Sequence, residues 1–176
     1  MDLLVAEHLV DARALRDFTN NSLIVILPAS NPGNVMSLAD LAKPKLKLVL
    51  ADASVPAGDY ARQVLEKMSQ NPAYGANFIK RVLANIVSNE TDVKQVVTKV
   101  ELGEADAGIV YNSDAVATPG LITITIPTNF NVTASYPIAA LNNAREPKLA
   151  EAFIAYVTSP NGQAVLEQWG FSRVTH

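Results

Sequence analysis

The sequence contains no cysteine. Disulfide frameworks, thiolate zinc sites and thiol catalysis are therefore excluded, while the redox compartment stays open. No apolar run approaches the roughly 20 residues that a membrane-spanning helix needs. Clustered lysine and arginine are missing too. The densest basic stretch, Lys43-Pro44-Lys45-Leu46-Lys47, is short and opens a predicted strand, and the formal net charge is −3. A nucleic-acid partner would call for a basic face, so that class is set aside. The opening Met1-Asp2-Leu3-Leu4 has neither the positive n-region nor the apolar h-region of a signal peptide.

Catalytic groups are scarce as well. His8 falls on the apolar face of a predicted first helix, where a structural role is the simpler reading, and His176 is the last residue. No Gly-x-Ser-x-Gly elbow, Walker loop or Gly-x-Gly-x-x-Gly turn occurs. Asp52, Asp106 and Asp114 stand at predicted strand ends, where caps and turns explain them. An enzyme would have to rest on the Asp52/Asp114 pair, and a binding protein accounts for the inventory better.

What is present is a chain of 176 residues, 49% apolar and 18% charged, the profile of a packed globular protein. The length suits one domain or two small lobes sharing a hinge. Apolar spacing predicts a helix over residues 3–18, ended by Asn20-Asn21. Buried strands are predicted at 22–27, 46–51 and 107–111, a very short one at 86–87, and further strands at 121–126 and 136–141. Helices are predicted at 57–69, 73–83, from a cap at 88–91 to Gly103, and at 147–157 and 161–169. Alternating strands and helices imply an α/β fold with a mainly parallel sheet and flanking helices.

Two strand–turn–helix junctions carry chemistry. In Asp52-Ala53-Ser54-Val55-Pro56-Ala57-Gly58-Asp59-Tyr60 a buried strand ends and a helix begins. The first N–H groups of a helix lack internal partners and sit at the positive end of its dipole. Small residues such as Ala57 and Gly58 let an anion approach them. The plain alternative is a strand-to-helix turn with proline at the first helical position. The second junction, Gly108-Ile109-Val110-Tyr111-Asn112-Ser113-Asp114-Ala115-Val116, offers another such wall. Both lie at the carboxyl ends of strands, where open α/β sheets bind ligands.

Four segments together resemble the periplasmic molybdate-binding proteins of ABC importers. They are Asn21-Ser22-Leu23-Ile24-Val25-Ile26-Leu27-Pro28, Ala51-Asp52-Ala53-Ser54-Val55-Pro56-Ala57-Gly58-Asp59-Tyr60, Gly103 through Ala115, and Ser135-Tyr136-Pro137-Ile138, followed by a closing Trp169-Gly170-Phe171. The resemblance implies a two-lobed type II periplasmic-binding-protein fold. Its ligand would be a tetrahedral oxyanion, molybdate or tungstate with sulfate as a rival, held by neutral donors without counter-charge, metal or cofactor. Carried over by position, the donors are the backbone N–H of Ala57, with Gly58 beside it, the N–H of Val116, with Ala115 as the alternative, and the Tyr136 hydroxyl. The implied partner is a membrane permease, and the implied compartment is the periplasm, or the cytoplasm if the chain is expressed as it stands.

The resemblance assigns residues 29–135 to lobe 2, and 1–28 with 136–176 to part of lobe 1 with the hinge strands. The hydroxyl-bearing turns that open a family member have no counterpart here. The expectation is therefore that Leu23–Leu27 and Ile138–Leu141 present exposed edges through which the chain self-associates. An oligomeric fragment without competent anion binding is the alternative.

Overall fold

The computed structural model describes residues 1–174 and divides the chain into two compact units. Unit 1 comprises Met1–Asn21 with Ala134–His176, and unit 2 comprises Ser22–Thr133. His176, read above as a chain end, lies outside the described residues.

Unit 2 is an α/β layer structure. Its strands are the second part of β1 (Arg16–Leu27), β2 (Leu48–Ala51), β3 (Ile86–Glu90), β4 (Ala107–Tyr111) and β5 (Ile122–Thr125), in the order β3-β2-β4-β1-β5. β2 runs parallel to β3 and β4, and β1 runs antiparallel to β4 and β5. The sheet is thus mixed rather than mainly parallel: β2 to β5 point one way and β1 the other. An apolar run buried on both faces looks the same in either direction, so the sense of β1 is not encoded in its own residues.

The two faces of β1 feed two apolar clusters. Leu23, Val25 and Leu27 join Leu48, Leu50, Val64, Leu65 and Phe78 in one. Ile24 and Ile26 join Val49, Ala51, Val96, Val97, Val100 and Val110 in the other. The helices that cover these faces are α2 (Pro56–Ser69), α3 (Phe78–Leu83) and α4 (Val93–Glu101), followed by the single-turn α5 (Asn112–Val116). On α2 the buried residues Ala57, Ala61, Val64, Leu65 and Met68 recur at helical spacing and form one face. Asn131 closes the start of this part of β1: its side chain accepts from Leu23 N–H at 3.0 Å and donates to Leu23 C=O at 2.8 Å.

Unit 1 holds α1 (Asp2–Ala6), the first part of β1, β6 (Thr133–Ile138), α6 (Pro147–Thr158) and α7 (Pro160–Gln168). β6 pairs with β1, and Asn20 exchanges two backbone hydrogen bonds with Ser172 at 2.8 and 2.9 Å. The buried Gln163 amide donates to the carbonyls of Phe18 and Val157, each at 2.9 Å, tying α7 to the strand.

Several expectations give way. The helix over 3–18 stops at Ala6, because His8 takes a left-handed φ of 54° and the chain is extended from Arg16. Asn20, read as a breaker, is a strand residue with paired backbone. The helix over 73–83 begins only at Phe78, after Gly75 at φ 80°. Leu23–Leu27 has no open edge, since β4 and β5 flank it and its side chains are core. The predicted strand at 136–141 ends at Ile138. The unit boundaries at Asn21/Ser22 and Thr133/Ala134 also precede the expected ones, because the paired half of β1 is part of the unit 2 sheet.

Candidate functional site

β2, β3 and β4 lie side by side, so their carboxyl ends form one rim. β2 ends at Ala51, β3 at Glu90 and β4 at Tyr111. The first two ends are stitched together where Asp52 N–H donates to Glu90 C=O at 2.8 Å. From each end the chain turns toward a helix, so the N-termini of α2, α4 and α5 gather at the same carboxyl end of the sheet.

The turn before α2 is built locally. The Asp52 carboxylate accepts from Ser54 N–H at 3.0 Å and from Ser54 Oγ at 2.7 Å. The Ser54 backbone N–H is the main reason its pKa falls below the ordinary carboxylate value; the Ser54 hydroxyl and the Arg62 charge act in the same sense. Pro56 occupies the first helical turn, where its missing N–H costs nothing. Gly58 is required by space: a Cβ there would lie 2.0 Å from Asp52 O and 2.4 Å from Ala51 O. Its N–H donates to Val55 C=O at 2.9 Å. Gly58 therefore packs the helix onto the strand end rather than offering an amide to a ligand. Ala57 sits in the first turn and is 2% exposed, with its methyl in the cluster of Ala51 and Val97.

The turn before α4 is the second wall. Asp92 caps α4, its carboxylate accepting from Gln95 N–H at 3.0 Å. Val93, the first helical residue, is half-buried and packs against the same cluster as Ala57. Tyr111, at the end of β4, packs against both apolar clusters, so its ring stands at the same rim. Asp114 accepts from Tyr111 N–H at 3.2 Å. Burial pushes the Asp114 pKa up, opposed by that hydrogen bond and by the charge of Lys94. Beside the end of β4, a depression of about 280 Å³ is lined by Ser22, Asn112, Thr125, Thr128, Asn131 and Thr133 together with apolar residues, all uncharged.

Of the site residues read from the sequence, Ala57, Gly58, Ala115 and Val116 lie in unit 2 and Tyr136 in unit 1. Ala115 and Val116 close the five-residue α5 rather than open it, so their N–H groups point back into the helix. Ala115 is buried in the cluster with Ala57, and Val116 is 44% exposed. Tyr136 is half-buried in β6 and packs edge-on against Phe171, with ring centroids 5.8 Å apart. The N-terminus of α4 and the ring of Tyr111 were not singled out from the sequence. The cap expected at 88–91 is a visible signal for the first, although the capping residue is Asp92, and only the strand order shows that it adjoins α2. Among the described residues, no group of three His, Asp or Glu side chains gathers as a metal site would require.

Residues 1–172 match the bacterial extracellular solute-binding protein family. The molybdate-binding protein ModA of Mycobacterium tuberculosis (strain H37Rv) is 35% identical over 158 residues, which are 89% of this chain and 56% of that protein. The chain therefore spans little more than half the length of these curated relatives. A solved substrate-binding domain assigned to a molybdenum ABC transporter of Clostridium difficile superposes with a TM-score of 0.81 at 28% identity, covering 99% of this chain and 73% of that one. A sulfate-binding protein of Synechocystis sp. is 25% identical over 173 residues, 89% of this chain and 48% of that protein.

Proposed function

The chain belongs to the bacterial extracellular solute-binding protein family, and on that premise we propose that it serves an ABC importer of molybdate or tungstate as its solute receptor. In this reading it binds the oxyanion outside the cytoplasm and presents it to the membrane permease. The oxyanion is cargo, not a cofactor, and no reaction is catalysed.

The observation that carries the reading is the pairing of the α2 and α4 N-termini at one rim of the sheet, stitched by Asp52 N–H to Glu90 C=O. Two helix N-termini supply unpartnered N–H groups and two positive dipole ends, which hold an anion without a counter-charge. The proposed donors are the backbone N–H groups of Ala57 and Val93, with the Tyr111 phenol beside them. Ala115 and Val116, which close α5, are not among the proposed donors. A rigid set of donors selects by size, because it cannot follow the shorter bonds of sulfate.

Calorimetric titration of the chain with molybdate, tungstate, sulfate and phosphate tests the proposal. Saturable binding of molybdate and tungstate, at least tenfold tighter than sulfate, is expected. A preference for sulfate would move the chain to the sulfate class, and binding of none of the four would end the oxyanion reading. The other expected property, self-association, moves from strand edges to helices. Leu149, Phe153 and Tyr156 form an exposed stripe on α6, and Val165 on α7 and Trp169 just after it are exposed. An apolar stripe of this kind favours contact with another surface. Light scattering at rising concentration is expected to show association that Phe153→Ser reduces.

A further inference from the structure

Arg62 lies one turn inside α2, and its guanidinium reaches back to the rim. Nη1 donates to Ala51 C=O at 3.0 Å and to Gly58 C=O at 2.7 Å. Nη2 donates to the Asn89 side-chain oxygen at 2.7 Å. These acceptors belong to three different pieces of the site: the last residue of β2, the first turn of α2, and β3 just before the turn into α4. One planar group therefore spans both anion-facing junctions, and its fork geometry fixes their separation as a single flexible ammonium could not. Its N–H groups are engaged behind the turn, so it acts on a ligand through the backbone it holds.

Resting on the oxyanion reading above, we propose that Arg62 is a positioning residue that sets size discrimination among tetrahedral oxyanions, by clamping the α2 N-terminus at a fixed distance from the β3–α4 turn. Discrimination by size needs donors that do not yield. If the two junctions could drift by a few tenths of an ångström, they would close on sulfate or open for molybdate with little difference in affinity. The Asp52–Ser54 hydrogen bonds rigidify only one junction, and the Asp52–Glu90 backbone bond fixes one point of the seam. The parallel β2–β3 ladder holds the two strands to each other, and the Arg62 fork is the tie that binds α2 itself to both strand ends.

The test compares the molybdate-to-sulfate affinity ratio of the chain with those of Arg62→Met, Arg62→Lys and Asn89→Ala, alongside melting temperature. Arg62→Met is expected to lower the ratio at least tenfold, mainly by gaining relative affinity for sulfate. Arg62→Lys is expected to restore part of it. Asn89→Ala removes an exposed side chain and one of the three bonds, so it keeps the fold and should lower the ratio about threefold. A loss of stability alone would weaken both anions equally and leave the ratio unchanged. An unchanged ratio in Arg62→Met, or in Asn89→Ala if the first variant does not fold, overturns the proposal while the receptor reading stands. Failure of the unsubstituted chain to bind either anion overturns both.

Discussion

The two units bury their apolar residues very differently. Unit 2 packs both faces of its sheet, and Phe78, Leu50, Leu65 and Ile109 are almost wholly withdrawn from water. In unit 1 the buried apolar residues among those described are Val10, Ala134 and Ile154, while Leu149, Phe153, Tyr156, Val165 and Trp169 stand exposed on α6, on α7 and at the end of α7. Folding free energy scales with apolar area removed from water, about 25 cal/mol per Å², so unit 2 carries the larger share of the stabilising burial. The candidate site sits on that part. Its donors are backbone groups at strand ends, and backbone groups are only as rigid as the sheet and helices behind them.

The largest effect separates the two units directly. Phe78→Ala empties a fully buried position and should cost about 3–5 kcal/mol, whereas Phe153→Ala on the exposed stripe should change stability by less than about 0.5 kcal/mol. Urea unfolding of both variants checks this, and equal losses would erase the contrast. Next comes Gly58→Ala. Its Cβ would meet strand-end carbonyls at 2.0 and 2.4 Å, which neither backbone can yield cheaply. A loss of about 3 kcal/mol is expected, at the upper end for overpacking, together with loss of oxyanion binding.

A smaller pair contrasts helix caps. Asp92 caps α4 at the site, and Ser159 caps α7 in unit 1, accepting from Gly162 N–H at 3.2 Å. Replacing either by alanine should cost about 1 kcal/mol, but only Asp92→Ala should weaken oxyanion binding; calorimetry on both variants decides it. The smallest effect is electrostatic and remote from the site. Asp40 is held down to about 2 from 3.8, first by the Met36 N–H and then by Lys43 and Ser37, against the opposing effect of burial. Its folded pKa is depressed, so the stability it contributes is present above pH 3.8 and is lost as pH falls toward 2. Asp40→Asn should therefore be less stable than the unsubstituted protein near neutrality and converge with it at the acid end of a pH series.

Much of this architecture was legible in the residues. The helix at 57–69 was marked by Pro56 and an apolar face, and those at 147–157 and 161–169 by Pro147 and Gly170; each lies within about a residue of the observed one. The strands at 46–51 and 107–111 were apolar runs bounded by turns. What failed was relational. β1 has the residues of a buried strand, but its length back to Arg16 comes from pairing with β6 and Ser172, and its antiparallel sense comes from its neighbours. β3 was read as two residues because Ser88 and Asn89 are polar; parallel pairing with β2 carries it to Glu90. For the same reason the α4 cap was visible as a cap but not as a neighbour of Ala57. Val116 lies at the end of α5 rather than at its start, because that helix is only one turn long.

Amide spectra of the ¹⁵N-labelled chain, titrated with molybdate, read directly which amides meet the anion. Saturable shifts at Ala57 and Val93 are predicted, with smaller ones at Tyr111 and none centred on Ala115 and Val116. Shifts confined to Ala115, Val116 or Tyr136, or no shift at the α2 and α4 N-termini at saturating molybdate, would contradict the proposed donor set.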